Sequence, residues 1–441
     1  MKKLFENIFF KLGIITVLIL FLLIPATMVE RLIAERMDRY QEAMNEVSDS
    51  HAGEQEIIGP ILQVPYVIPG ESMAGAAAQV SRESGVIHIL PDQLKIKGDL
   101  DSEQRKRGIF NVAVYGTEFT FKGSFSEPDL STIYVKPEHL DWEHAHVTIG
   151  ISDLKGLLEQ VHFQIDEQDL LCTSGAMKND LVRTGIHTAV QFDSTRSEHP
   201  FSFKLALNGS QSIRFAPIGK ETTVHLASSW KDPSFQGNYL PTQRDVGKEG
   251  FTAEWKVLDL NRNYPQVWKN KTYGVSDSLF GVDLQLGVDQ YQKSMRVAKY
   301  ALLFIGLTYL VFFFVEVTRK LLIHPVQYIL VGIALVLFYV LLLAFSEQIS
   351  FDWAYVVSAS MIITLIMLYA RSMFKAWGPA MFLCALLSIL YTFIFVIIQL
   401  QDFALLFGSL GIFLILATTM FFSRKIEWFE KDSEPEPAPD A

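Results

Sequence analysis

Residues 12–29 read LGIITVLILFLLIPATMV, an uncharged run about 18 residues long, and its reading decides the architecture. At about 1.5 Å of helical rise per residue, this length is near the minimum that crosses roughly 30 Å of hydrocarbon. Lys2, Lys3 and Lys11 precede the run. A basic segment followed by an apolar one also describes a secretory signal peptide. Here the run is long and no small-x-small cleavage site follows Pro25, so an uncleaved signal anchor is expected.

Working outward, the chain turns polar and then becomes apolar again in five runs, at residues 299–317, 326–345, 353–370, 379–400 and 403–422. Six crossings are therefore expected. The short connections test this plan independently, because Lys and Arg collect on the cytoplasmic side. With the N-terminus inside, the cytoplasmic connections carry Arg319 and Lys320, then Arg371 and Lys375, then Arg424, Lys425 and Lys431. The opposite connections hold Glu347, Asp352 and Asp402 and no cation. The alternation predicts both termini in the cytoplasm. Trp353, Tyr355, Trp377, Trp428 and Phe429 fall near the expected boundaries, where amphipathic rings favour the headgroup level. The tail from Glu434 is Pro-rich and acidic, a composition that predicts disorder.

Composition agrees with membrane burial. The 441 residues are 50% hydrophobic and only 20% charged, against roughly 25% charged in soluble proteins. The net charge of -10 comes with no Lys/Arg-dense block, which argues against a nucleic-acid binder. Cys172 belongs to the polar region and Cys384 to an apolar run, so the two are not expected to pair. The polar region is long enough to be held by a hydrophobic core without disulfides.

Between the anchor and the second group of apolar runs the periodicity changes twice. Ile33, Met37, Tyr40, Met44 and Val47 recur at steps of four and three among charged residues, which predicts an amphipathic helical stalk over residues 30–50. Its narrow seam spans under about three heptads, so packing on its own domain is favoured over pairing with another chain. From Gly59 the period becomes two: Phe119 and Phe121; Val147, Ile149 and Ile151; Phe201, Phe203, Leu205 and Leu207; Phe251, Ala253, Trp255 and Val257. These are expected half-buried strands. Asn208-Gly209, before Ile213-Arg-Phe215, predicts a type I′ hairpin. Gly59-Pro60, Pro69-Gly70, Pro91-Asp92, Glu127-Pro128 and Ala216-Pro217 read as breaks, and residues 152–161 as a short helix. The expected class is an α+β membrane protein: N-terminal signal-anchor helix, large antiparallel β-rich periplasmic domain, sandwich or barrel-like, and C-terminal five-helix transmembrane bundle. The corresponding divisions are residues 1–11 (cytoplasmic), 12–29 (anchor), 30–50 (stalk), 51–298 (periplasmic, as one domain or two lobes), 299–422 (bundle) and 423–441 (tail).

The candidate sites are few. His139-Leu-Asp-Trp-Glu-His-Ala-His146 gathers ligands competent for zinc or copper. On a strand, however, His139, Asp141 and Glu143 would face away from His144 and His146, so a solvated loop or strand edge is favoured. Ser152-Asp-Leu-Lys155 matches the S-x-x-K pattern of penicillin-recognising enzymes without its companion S-D-N and K-T-G elements. There is no G-x-S-x-G, H-E-x-x-H or P-loop, and two distant cysteines exclude a C-x-x-C motif. No catalytic, cofactor-binding or metal residue is therefore assigned, no cofactor is expected, and the chain is read as a non-enzyme. Glu316, Glu347, Asp352, Arg371 and Asp402 all fall at helix ends, which disfavours an ion-coupled pathway. Thr308, Ser358, Ser360, Thr364, Ser388, Thr392 and Ser409 lie inside the runs, where hydroxyls more often join helices than bind substrate.

Several stretches resemble the inner-membrane CreD family, the cell envelope integrity proteins, through nearly the whole chain. They are Glu56-Ile-Ile-Gly-Pro-Ile-Leu-Gln-Val-Pro65, Ser234-Phe-Gln-Gly-Asn-Tyr-Leu-Pro241 with Arg244, Gly250-Phe-Thr-Ala-Glu-Trp255, and Asp289-Gln-Tyr-Gln with Arg296, Lys299 and Tyr300. The most specific is His324-Pro-Val-Gln-Tyr-Ile-Leu-Val-Gly332, leading into Phe338-Tyr-Val-Leu-Leu-Leu-Ala-Phe-Ser-Glu347. The resemblance implies a Gram-negative inner-membrane protein tied to a carbon-source-responsive two-component system and to envelope phenotypes, including altered tolerance to colicins and β-lactams. It carries over no catalytic residue, and the Pro-rich acidic tail departs from it.

Pro325 suits the first turn of the third span, and residues 318–328 are a candidate contact for a cytoplasmic or membrane partner. The expected function is envelope maintenance or stress response, with the β domain binding an envelope component and the bundle anchoring or relaying. The alternative is a transport or lipid-handling protein. The expected partners are membrane lipids, with an envelope component or another membrane protein as further candidates, and no nucleic acid. Nothing in the sequence sets an oligomeric state.

Overall fold

The computed structural model describes residues 8–69, 83–175, 181, 183–192, 196–270, 272–284, 288–319, 323–400 and 404–424. Lys2, Lys3, Gly70, Lys320, Asp402, Lys425, Trp428, Phe429, Lys431 and the Pro-rich tail lie outside the described residues. The chain forms two compact units, Met1–Arg39 with Gly287–Ala441, and Tyr40–Leu286.

The first unit is helical. Helix α1, Ile8–His51, is one element that takes in both the expected anchor and the stalk, with Pro25 inside it. Its last part, from Tyr40, groups with the second unit. Helix α2, Val288–Lys299, is followed by α3, Ala301–Arg319, then α4, Pro325–Ser346, α5, Phe351–Phe374, α6, Trp377–Gln399, and α7, Ala404–Ser423. The period-two pattern does not reach residue 298, because α2 is an amphipathic helix grouped with the membrane helices.

Helices α1, α3, α4, α5 and α6 are long and apolar enough to cross a membrane, while the apolar stretch within α7 is Leu406–Thr418. In α4, Tyr328, Val331, Leu335, Phe338 and Leu342 are buried at steps of three and four, and Leu330, Ile333, Leu337 and Val340 are exposed on the opposite side. A helix apolar on both sides needs protein on one and lipid on the other. Arg319 ends α3, Arg371 and Lys375 lie at the α5–α6 turn and Arg424 follows α7, whereas Glu347 and Asp352 flank the α4–α5 turn.

The second unit is a sandwich of two sheets. The nine-stranded sheet runs Pro233–Gly237, Phe280–Leu284, Ser212–Phe215, Gln55–Ile68, His146–Ile151, Gly185–Ala189, Thr173–Ser174, with Glu83–Ile89 also paired to Gln55–Ile68 and Val267–Lys269 added beside it. The eight-stranded sheet runs Gln243–Gly247, Gly250–Leu258, Glu221–Ser228, Gln93–Arg107, Phe110–Ser126, Glu198–Ser210, His162–Ile165, Gln168–Leu171. Rings meet between the sheets: Phe119 is edge-on to Phe215 at 5.2 Å, and Trp255 lies 5.8 Å from Phe280. Phe121 stacks on Phe203 at 4.4 Å within the eight-stranded sheet. All these side chains belong to one continuous core, so the β region is a single domain and not two lobes.

Five local expectations are corrected. The pairing is mostly antiparallel, but each sheet contains a parallel pair, Gln55–Ile57 with Ile213–Phe215 and Gln93–Leu100 with Glu221–Ser228. Asn208-Gly209 is not a hairpin turn; both residues lie inside Glu198–Ser210, opposite Gly116 and Tyr115. The chain bends at Gln211, at φ 64°, and passes to the other sheet. Gly59-Pro60 is a bulge inside Gln55–Ile68 and does not end the strand. Residues 152–161 hold only the single turn Leu154–Gly156. The strand His146–Ile151 is buried on both faces instead of half-buried.

Candidate functional site

Within the helical unit, one carboxylate stands out chemically. Glu316 lies near the end of α3 and is 2% exposed. Its Oε1 is 2.8 Å from Lys11 Nζ on α1 and accepts from the Ile323 amide at 3.3 Å. Its Oε2 accepts from the Tyr328 hydroxyl on α4 at 2.8 Å. Tyr309 on α3 donates to the Tyr328 carbonyl at 2.5 Å. Gly332 sits where a Cβ would run into Leu22 and Tyr309, so glycine permits the close approach of α1, α3 and α4. A buried charge with both oxygens occupied by cation, amide and phenol is a clamp between helices and not a free acid or base.

The motif beside it has an internal task. His324 caps α4: its Nδ1 accepts from the Val326 amide at 3.3 Å, its amide donates to Gln327 Oε1 at 3.1 Å, and Pro325 occupies the first turn as expected. At the other ends of these helices, Glu347 lies 3.8 Å from Arg36 and accepts from the Tyr291 hydroxyl at 3.5 Å. Asp352 accepts from Gln399 at 2.6 Å. Of the carboxylates read as lying at helix ends, Glu316, Glu347 and Asp352 do so, and the structure adds partners on other helices. Three of the interior hydroxyls bond within their own helix. Those of Thr308, Ser360 and Ser409 return to carbonyls of their own helix at 2.7, 2.7 and 2.9 Å, three or four residues back.

The bundle interior is aromatic. Phe304, Phe338, Tyr339, Tyr355 and Tyr391, from α3, α4, α5 and α6, are all buried. Phe304 is 4.5 Å and Phe338 4.8 Å from the Tyr391 ring. Tyr355 donates to the Tyr391 carbonyl at 2.8 Å.

In the β domain, register places a polar row on the nine-stranded sheet. Gln63 lies opposite His88 on one side and His146 on the other, and His88 lies opposite Trp268. Thr148 donates to Gln63 Oε1 at 2.9 Å, so the Gln63 amide nitrogen faces His88 Nδ1, 3.1 Å away, as donor. Burial lowers the His146 pKa, and the neighbouring His187 ring, 6.5 Å away, pushes it the same way.

The sequence-predicted metal candidates are not assembled. Residues 137–144 form two short turns, Pro137–His139 and Trp142–His144, and the strand begins only at His146. Asp141 pairs with His144 at 2.8 Å, which raises the histidine pKa and lowers that of the carboxyl, while His146 is buried in the sheet. Among the described residues no group of three or more His, Cys, Asp and Glu is placed to hold a metal. Ser152 donates to the Glu54 carbonyl at 2.7 Å and accepts from the Glu56 amide at 2.9 Å, so its hydroxyl joins strand ends. Burial pushes the Cys172 thiol up to about 11, away from thiolate chemistry.

The sequence matches the model of the family described as inner membrane protein CreD over residues 7–429. The chain belongs to the CreD family. It is similar to the inner membrane protein CreD of Escherichia coli (strain K12), at 29% identity over 430 residues that cover 96% of this chain and 94% of that protein. Membership makes it an inner-membrane, multi-pass protein of the cell envelope. The stretches that carry the CreD resemblance occupy structural positions: Phe235 and Trp255 meet at 5.7 Å, Trp255 donates to the Tyr239 carbonyl at 3.2 Å, and Arg244 lies 6.0 Å from the Phe235 ring. Sequence reasoning missed Lys11 as the partner of Glu316. The available signal was a lone lysine at the start of an anchor and a lone glutamate at the end of a span.

Proposed function

We propose that this CreD-family chain maintains the envelope or responds to envelope stress, with the β domain binding an envelope component and the helices anchoring it or relaying its state. In this reading the protein is not an enzyme, both termini are cytoplasmic and the β domain is periplasmic. One observation carries the reading: the interior of α3–α6 is filled by Phe304, Phe338, Tyr339, Tyr355 and Tyr391, as suits an anchor. The alternating Arg/Lys and Asp/Glu turns support the orientation. The β domain exposes large apolar side chains suited to contact, with Tyr134 91% and Leu260 87% exposed.

The test is photo-crosslinking of the full-length protein in native membranes from positions 134, 240 and 260. The expected result is an adduct whose mass identifies an envelope lipid, glycan or protein. The absence of adducts at all three positions contradicts it.

A second reading, transport or lipid handling, draws on the hydroxyls of Tyr339, Ser358 and Tyr391, which are buried with no hydrogen-bond partner among the described residues. Water or a polar substrate among them would supply the missing bonds.

A further inference from the structure

The turn between α5 and α6 holds a hollow of about 450 Å³ lined by Leu368, Arg371, Ser372, Lys375, Ala376 and Trp377. Its two cations have no carboxylate partner among the described residues. Neither Arg371 nor Lys375 is ion-paired with a carboxylate among the described residues, although Glu316 and Glu347 of the same unit are paired. The Arg371 guanidinium lies 3.8 Å from the centre of the Trp377 ring, a stacking that limits its freedom and leaves its N–H edge available to an anion. Lys375 ends α5 in the left-handed region, at φ 50° and ψ 24°, where the chain turns sharply into the next helix. The Ser372 side chain adds a hydroxyl donor on the same wall.

The rest of the lining is apolar and exposed: Leu368 and Trp377 are each 50% accessible. A free anion has no use for such a wall, whereas a phospholipid presents a phosphate beside the start of its acyl chains. The volume also lies within the roughly 300–1,000 Å³ range of small-molecule sites. The hollow joins two helices long and apolar enough to cross a membrane, the depth at which lipid phosphates lie.

We propose that this turn is a binding site for the phosphate of an anionic membrane phospholipid, with Arg371 and Lys375 holding the phosphate, Ser372 donating to it, and Leu368 and Trp377 lying against the adjoining glycerol and acyl carbons. The site selects anionic over zwitterionic lipid because Arg371 and Lys375 face a headgroup with no ammonium of its own to compete for the phosphate.

The full-length protein in mild detergent, titrated with phosphatidylglycerol and followed by native mass spectrometry, tests the proposal. The wild type is expected to retain phosphatidylglycerol more strongly than phosphatidylcholine, and millimolar inorganic phosphate should not displace it. R371Q/K375Q should weaken retention about tenfold or more, given the attraction of each cation near an anionic lipid surface. R371K/K375R, which keeps both charges, should retain lipid better than R371Q/K375Q, and R424Q should match the wild type. Circular dichroism of R371Q/K375Q checks that the helices remain. Equal retention by R371Q/K375Q and the wild type overturns the proposal, as does equal retention of the two lipids. Displacement by inorganic phosphate reassigns the hollow to a free anion and overturns the lipid.

Discussion

A carboxylate carried on a membrane helix must find its counter-charge inside the protein, and Glu316 finds Lys11. Removing only the cation leaves the charge buried and unpaired, whereas removing both partners leaves a site that apolar side chains can fill. Lys11→Met is therefore expected to lower stability by about 3 kcal/mol, and Lys11→Met/Glu316→Leu by clearly less. Thermal unfolding of the full-length protein in detergent measures both, and a double variant no better than Lys11→Met contradicts the clamp. Gly209 gives a second case at this scale. A Cβ there would strike the Tyr115 ring, whose hydroxyl donates to the Ser212 carbonyl at 2.8 Å. Gly209→Ala should cost about 1–3 kcal/mol in denaturant unfolding, a loss typical of overpacking. A turn dipeptide is a local signal, and the demand for glycine here comes from a ring nearly a hundred residues away in sequence, so the sequence reading took packing for turning. His146 supplies a pH dependence. Its folded pKa lies below the ordinary 6.5, so below that pH the unfolded chain binds more protons than the folded one. Its contribution is present above about pH 6.5 and is lost as pH falls toward the folded pKa. The denaturant midpoint should drop on acidification in the wild type and drop less in His146→Asn; equal slopes contradict the assignment.

Elements show where periodicity is a reliable guide and where it is not. The seam of the stalk was legible, since Ile33, Tyr40, Met44 and Val47 are buried, yet Met37 of the same series is 38% exposed. A 3.6-residue helix drifts against a 3.5-residue series, and which members from Tyr40 onward face the domain depends on what packs there. What packs there is a hairpin far along the chain: Phe110 meets Tyr40 edge-on at 5.5 Å, and Arg107 pairs with Glu46. Ser48 and Ser210 share a hydrogen bond at 2.7 Å beside them. Tyr40→Ala is expected to destabilise the β domain by about 3 kcal/mol and Met37→Ala by under about 0.5 kcal/mol. Differential scanning fluorimetry of the two variants checks this, and comparable losses contradict the packing. In the strands, the alternating positions were buried as read at Phe119 and Phe121, at Phe201 through Leu207, and at Phe251 through Val257. The His146–Ile151 strand escaped the reading because a central strand covered on both faces has no polar face to alternate with.

At the scale of the whole molecule, the membrane plan was legible because hydropathy and loop charge are local and additive along the chain. The sheet order was not, because the parallel pairs join residues 55–57 to 213–215 and 93–100 to 221–228, separations that leave no local mark. The clamp at Glu316 and the aromatic filling of α3–α6 share that character, each built from side chains on several helices. Both bear on the central claim, that the helices of this CreD-family member form a packed anchor for a binding domain and not a conduit. Cysteine accessibility tests it most directly. In a Cys172→Ser/Cys384→Ser background, Phe338→Cys and Tyr391→Cys are to be treated with a membrane-impermeant maleimide from both sides of native membranes, with Tyr134→Cys as the exposed reference. A packed anchor leaves positions 338 and 391 unlabelled while position 134 reacts fully; reaction at 338 or 391 from either side would reveal an aqueous path and contradict the account.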